Sequence, residues 1–241
     1  MSAEPVNVAA SPDHSIPVVP HRRAPPSFRR ARHESYDSGT VRVMNLQTYD
    51  ELAFGKRLAA LDRRSKTAFA ASCAERLLPL FERYARSVEA VELGSRLGVI
   101  VAAAWEVASG VEADVRAYQD EAGAMVPSDE DSWILETGYG QNAAAAAAYA
   151  VGTWLTDDPQ EAALAAYQVY ELADYAVQQI NPSLDLNAAG SETRILASGI
   201  VQSALTALDR ALAAAESAPS TWQKLRADAE ADGQEWAGTL P

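Results

Sequence analysis

From Asn45 onward the apolar positions recur at steps of three and four, and no segment alternates as a half-buried strand would. That period restricts the chain to helices packed on helices. The cleanest stripe is Phe69, Cys73, Leu77, Leu80 and Tyr84, which predicts a helix from about Lys66 to Arg86. Pro79 lies inside it and removes one helix bond, so a kink is expected there. Cys73 sits mid-stripe and reads as a buried structural thiol.

The same period places a first helix over Tyr49–Arg63, burying Leu52, Leu58 and Leu61. A third spans Leu93–Ser109 and stops at Gly110. Its run from Leu97 to Trp105 is apolar on every side, as in a central helix. A fourth, shorter helix covers Val111–Ala122, and an alanine-rich fifth covers Tyr139–Leu155. Asp158-Pro159-Gln160-Glu161 is the sharpest local signal: a cap, a proline at the first helical position and a glutamate that can close a capping box. The helix it opens should reach Ile180 and stop before Pro182. Two more are expected over Ser191–Glu216 and Ser220–Ala231. The fold class is all-α, a single-domain bundle of seven or eight helices over residues 44–241, behind a disordered N-terminal leader.

The leader, residues 1–43, carries Pro5, Pro12, Pro17, Pro20, Pro25 and Pro26 among small and charged residues. Its Arg22-Arg23 and Arg29-Arg30-x-Arg32 runs suit an anionic surface. Translation from Met44 would remove it, and both readings stay open. It has no apolar core of the kind a signal peptide needs. The longest uncharged stretch, Thr137–Thr156, is mostly alanine with Gln141 and Asn142, too weakly apolar for a membrane span, so no membrane partner is expected. One cysteine permits no internal disulfide, which suits a cytoplasmic location.

All three histidines, His14, His21 and His33, fall in the leader. The folding segment therefore lacks the side chain that most often moves protons near neutral pH. Ser-His-Asp triads, Cys-His pairs and Cys/His zinc sets are excluded with it. No cofactor follows from the sequence, and enzymatic activity is not the leading expectation.

Charge gives that exclusion a direction. Residues 44–241 hold fourteen basic and twenty-nine acidic groups, a net of −15. The stretch Lys56–Arg86 is locally basic, with eight positives against three negatives. From Leu97 to Thr193 a single cation, Arg116, faces sixteen acids. Such a domain repels nucleic-acid phosphates and attracts a basic protein. The plainer reading is that acidity keeps an alanine-rich protein in solution.

Leu58-Ala-Ala-Leu-Asp followed by Phe69-Ala-Ala-Ser-Cys-Ala-Glu-Arg-Leu-Leu-Pro-Leu-Phe81 resembles a bacterial family of uncharacterised proteins, number 416 in the domain-of-unknown-function series. Ala104-Trp105-Glu106, the Asn142–Tyr149 helix with Asp158–Ala162, and Leu225-Arg226 with Gly233 fit the same resemblance, which spans about residues 45–235. It implies an all-α domain and brings no catalytic residues.

Without histidine, carboxylates holding Mg²⁺ or Mn²⁺ are the remaining catalytic route. Glu171-x-x-Asp174 and Glu89-x-x-Glu92 each place two acids on one helix face, about eighty residues apart. On the Glu171 helix, Tyr167, Glu171, Asp174 and Gln178 line up opposite a broad alanine-rich face, bordered by Leu164, Tyr170 and Tyr175. They are the candidate binding or metal residues, set against an ordinary solvated stripe. No confident metal set emerges, and the catalytic residues are unknown. The Ser128–Asp131 loop lacks the glycine and terminal glutamate of a calcium loop, and Gly138-x-Gly140 follows no strand as a phosphate loop would. Trp105 and Trp154 are assigned to the core, and Trp222 and Trp236 to pinning the terminal helices.

Three functions remain. The first is a module that docks a basic protein, an immunity or antitoxin-like protein being one concrete form. The second is a helical scaffold or homo-oligomer without chemistry. The third is a metal-dependent hydrolase of a phosphate compound acting through Glu171 and Asp174.

Overall fold

The computed structural model describes residues 46–128 and 134–241. The leader and Met44, most of the Ser128–Asp131 loop, and Trp133 lie outside the described residues. Among the described residues there are nine α-helices and no strand: α1 (Glu51–Ala59), α2 (Arg63–Ser87), α3 (Val91–Ser109), α4 (Arg116–Ala124), α5 (Leu135–Thr156), α6 (Pro159–Ile180), α7 (Ser191–Leu196), α8 (Gly199–Ala215) and α9 (Trp222–Thr239), with a 3₁₀ turn at Pro219–Thr221. The fold is therefore all-α, as the periodicity requires. None of these helices is long and apolar enough to cross a membrane.

The axis of the bundle is α2, which runs unbroken through Pro79 and is buried continuously from Lys66 to Leu77. It packs against α3, α5, α6, α8 and α9. The second interior helix is α5, where Ala143–Ala148 are all buried and small side chains let α2 and α6 approach closely. Gly138 and Gly140 serve that packing. A Cβ on Gly138 would meet the Tyr175 ring at 2.6 Å, and one on Gly140 would meet the Tyr84 ring at 2.6 Å.

The first turn of α2 fixes its antiparallel neighbours through their C-terminal ends. Arg64 donates to the carbonyls of Ala108 (2.7 Å) and Ser109 (2.8 Å) at the end of α3. Lys66 donates to the Asp157 carbonyl at the end of α5 (2.7 Å) and reaches the same residue's carboxylate at 2.8 Å. Cations at helix C-termini complement the partial negative charge of the last carbonyls.

Several boundaries and burials differ from the sequence reading. In α1 it is Phe54 and Leu58 that are buried and Leu52 is 69% exposed, while Leu61, beyond the helix end, is half-buried. At 100° per residue Leu52 lies roughly 160° around the helix from Phe54, on the outer side. α3 is peripheral rather than central: it packs on α2 and α5 and leaves Val99 46% exposed. Gly110, left-handed at φ 96°, ends α3 with a bond from Val111 N–H to the Glu106 carbonyl, so α4 starts only at Arg116. The segment expected as one helix over 191–216 is two, because Ser198 caps α8 through the Val201 N–H at 3.2 Å. The last helix continues to Thr239. Trp105, Trp222 and Trp236 are buried as expected, whereas Trp154 is half-buried under the Arg63 guanidinium.

Candidate functional site

Helix α6 begins as its sequence dictates, with one departure. Asp158 accepts from the Gln160 N–H at 2.9 Å, and Pro159 occupies the first turn. The capping box does not close, because the Asp158 N–H donates to Thr156 Oγ1 (3.2 Å). Glu161 turns away instead, and its Oε2 lies 2.6 Å from where a Gly152 Cβ would stand, beside the Gln119 amide. That oxygen is buried without a hydrogen-bond partner, and burial, reinforced by Asp158, pushes the carboxyl above the usual range.

All four candidate residues of α6, Tyr167, Glu171, Asp174 and Gln178, are half-buried. The helix is covered on several sides: α5 and α2 take its alanine face, α8 packs beside it, and the segment entering α1 crosses its outer edge. The Tyr49 ring stacks on Tyr170 at 5.3 Å and lies 5.9 Å from Tyr167, while its hydroxyl donates to the Ala163 carbonyl at 3.2 Å. Tyr167 donates to the Glu171 carboxylate, and Gln178 donates to Asp174. Burial and then the neighbouring Asp174, Glu171 and Glu192 push the Tyr170 hydroxyl up to about 12. Glu192, exposed in the first turn of α7, thus adds its negative charge to the field of Glu171 and Asp174 at this tyrosine. The result is a face on which the half-buried rings of Tyr167 and Tyr170 alternate with the carboxylates of Glu171 and Asp174, over the buried Tyr49 ring. Such a face is suited to a guanidinium or ammonium group, which takes both carboxylate contacts and an aromatic wall.

The other acid pair is elsewhere. Glu89 and Glu92 are exposed at the α2–α3 junction, Glu89 with a left-handed backbone at φ 57° and Glu92 in the first turn of α3. Among the described residues no three His, Cys, Asp or Glu side chains are grouped so as to hold a metal ion.

The basic stretch Lys56–Arg86 is largely consumed inside the fold. Arg57 pairs with Asp209 and Glu216, both at 2.7 Å. Arg83 donates to the carbonyls of Ala237 (3.2 Å), Leu240 (3.0 Å) and Pro241 (2.7 Å), and reaches Glu136 at 3.5 Å. Among the described residues no ion pair to a cation is found for Glu106, Glu112, Asp120, Glu171 or Glu192.

Sequence reasoning missed two charged residues that are buried side by side on α2. Arg76 is fully buried on α2, donating to Asp232 of α9 at 3.1 Å, and Asp232 also takes Arg210 of α8 at 2.6 Å. One residue earlier, Glu75 accepts the Trp105 indole N–H at 2.8 Å and faces Arg226 of α9 at 3.3 Å. Burial pushes the Glu75 carboxyl up, against the pull of Arg226 and Trp105. Gly233 lets α9 into this place, since a Cβ there would lie 2.4 Å from the Arg76 carbonyl oxygen and 3.1 Å from Pro79 Cδ. Only the joint presence of Glu-Arg, Trp105, Arg226 and Gly233 in the sequence hinted at the cluster. Its role is to lock α9 onto the axis helix.

Comparison with known proteins agrees with the architecture. The family model for proteins of unknown function called DUF416 matches residues 53–234. A crystal structure of a DUF416 family protein from Shewanella baltica OS155 superposes with a TM-score of 0.64 at 16% identity, covering 73% of this chain and 92% of that one. At that identity the likeness concerns the fold alone. No curated protein matches the chain.

Proposed function

The chain belongs to the DUF416 family, and we propose that it works as a protein-binding module that docks a basic partner on the α6 face. The observation that carries this reading is that Glu171 and Asp174 share one face of α6 with the half-buried Tyr167 and Tyr170, backed by the buried Tyr49 ring, while Glu192 adds negative charge to the same field. An incoming arginine or lysine finds carboxylates to pair with and rings to lie against. Glu171 and Asp174 are half-buried, so part of their desolvation is already done and a pair with either is worth more than on open surface.

The acidic excess of residues 97–193 supports the same reading from a distance. With Arg64, Lys66, Arg76 and Arg83 of α2 engaged within the fold, the field of the domain is dominated by carboxylates, and such a field accelerates the approach of a cationic protein. An immunity or antitoxin-like protein neutralising a basic toxin is the concrete form. Capture from the native host, repeated at high salt, tests it. The expected result is a basic protein retained at low salt and released at high salt. An acidic or neutral partner, or retention indifferent to salt, would contradict the proposal.

A further inference from the structure

At the end of the bundle where α2 starts and α5 stops, a solvent-open depression of about 530 Å³ lies between the α3–α4 loop and the last turn of α5. Its size falls in the range of small-molecule sites. Trp154, Leu155, Ala113 and the buried Val115 make its apolar lining, and its charged lining is Arg63, Arg116, Glu112 and Asp114. Arg116 is the sole cation of the Leu97–Thr193 run, and the fold sets it on the same depression as Arg63.

These two arginines differ from the structural ones. Arg57, Arg64, Arg76, Arg83, Arg96 and Arg210 all donate side-chain hydrogen bonds. Arg63 and Arg116 instead approach their carboxylates, Asp157 and Asp114, only at 3.9 and 3.8 Å, beyond hydrogen-bond distance. Their donors remain available to a ligand. Arg63 also lies over the Trp154 indole, 5.6 Å from its centroid, which holds guanidinium and ring on the same wall.

We infer that this depression binds a small zwitterion with an aromatic ring, of the α-amino acid class. The lining carries two positive and two negative side chains and so has no net charge to oppose a neutral zwitterion, whereas the surrounding acidic field disfavours an anion. The ligand carboxylate takes Arg63 and Arg116, the ammonium takes Glu112 and Asp114, and the ring lies along the part of Trp154 that Arg63 leaves uncovered and against Leu155. The site is separate from the α6 face and does not depend on it.

Calorimetry with L-phenylalanine tests the inference, with 3-phenylpropionate, phenethylamine and glycine as analogues lacking the ammonium, the carboxylate and the ring. Saturable millimolar or tighter binding of phenylalanine is expected, weakened about tenfold or more in each analogue. Arg116→Gln and Glu112→Gln alter exposed side chains and leave the melting temperature unchanged, yet each should weaken phenylalanine binding by a similar factor. Absence of heat with phenylalanine would overturn the inference. So would 3-phenylpropionate binding as well as phenylalanine, or undiminished affinity in both variants.

Discussion

The Trp105 indole N–H donates to Glu75 Oε2 at 2.8 Å across thirty residues of sequence, in the interior where α3 meets the axis helix. Trp105→Phe keeps the aromatic volume and removes the donor, leaving a buried carboxylate with Arg226 as its remaining partner. Urea denaturation should show a loss of about 1–3 kcal/mol. An unchanged midpoint would mean that Glu75 is hydrated in solution.

Asp232 compensates the fully buried Arg76 guanidinium, and Arg210 approaches it from the solvent side. Removing one partner of a buried pair strands the other, so Asp232→Asn should cost about 3–5 kcal/mol. Arg210→Gln, on a half-exposed side chain, should cost about 1 kcal/mol or less. Equal losses in the two variants would show that Arg76 is not what Asp232 serves.

Gly233 and Gly238 lie on the same helix and predict opposite signs. Gly233→Ala drives a methyl into the Arg76 carbonyl and should destabilise by about 1–3 kcal/mol or more. A methyl on Gly238 meets nothing within 4 Å, so Gly238→Ala should gain up to about 1 kcal/mol from helix propensity alone. Thermal melts of the two single variants decide it.

The asymmetry of α9 shows what the sequence could and could not convey. Local signals were legible: Asp158-Pro159 fixed the start of α6, Gly110 the end of α3, and the Phe69–Tyr84 stripe the axis helix. Each depends on neighbours within a turn. Leu52 was misassigned because a step of six, from Leu52 to Leu58, fits a helical run while pointing to the other side. The uniformly apolar run Leu97–Trp105 carries no marker of which side faces neighbours, so an edge helix looked central. The four α6 candidates were readable from the helix wheel, but the influence of Glu192 on Tyr170 was not, since it depends on the path of the chain after Ile180. Glu75 and Arg76 were hidden for a similar reason: charged residues on a buried face are satisfied by partners thirty to more than 150 residues away.

Glu161 offers a pH test with a definite sign. Its folded-state pKa is raised by burial, so the folded protein holds this proton more tightly than the unfolded chain does. Stability is therefore lost as pH rises from the ordinary glutamate value, about 4.3, through the raised one, and stays lost above it. Glu161→Gln removes that penalty. Its melting temperature should exceed that of the parent at pH ~7.5, and the difference should close as the pH falls to the ordinary glutamate value. A difference that is constant with pH would place the effect in packing rather than charge.

The central claim, that the α6 face recognises cationic side chains, is tested most directly by isothermal calorimetry with a deca-arginine peptide. The parent is compared with the Glu171→Gln, Asp174→Asn, Glu192→Gln triple variant at low and at physiological salt. The account predicts binding that weakens with salt in the parent and falls about tenfold or more in the triple variant, whose melting temperature stays close to the parent's. Equal affinity of parent and variant, or no binding at low salt, would contradict it.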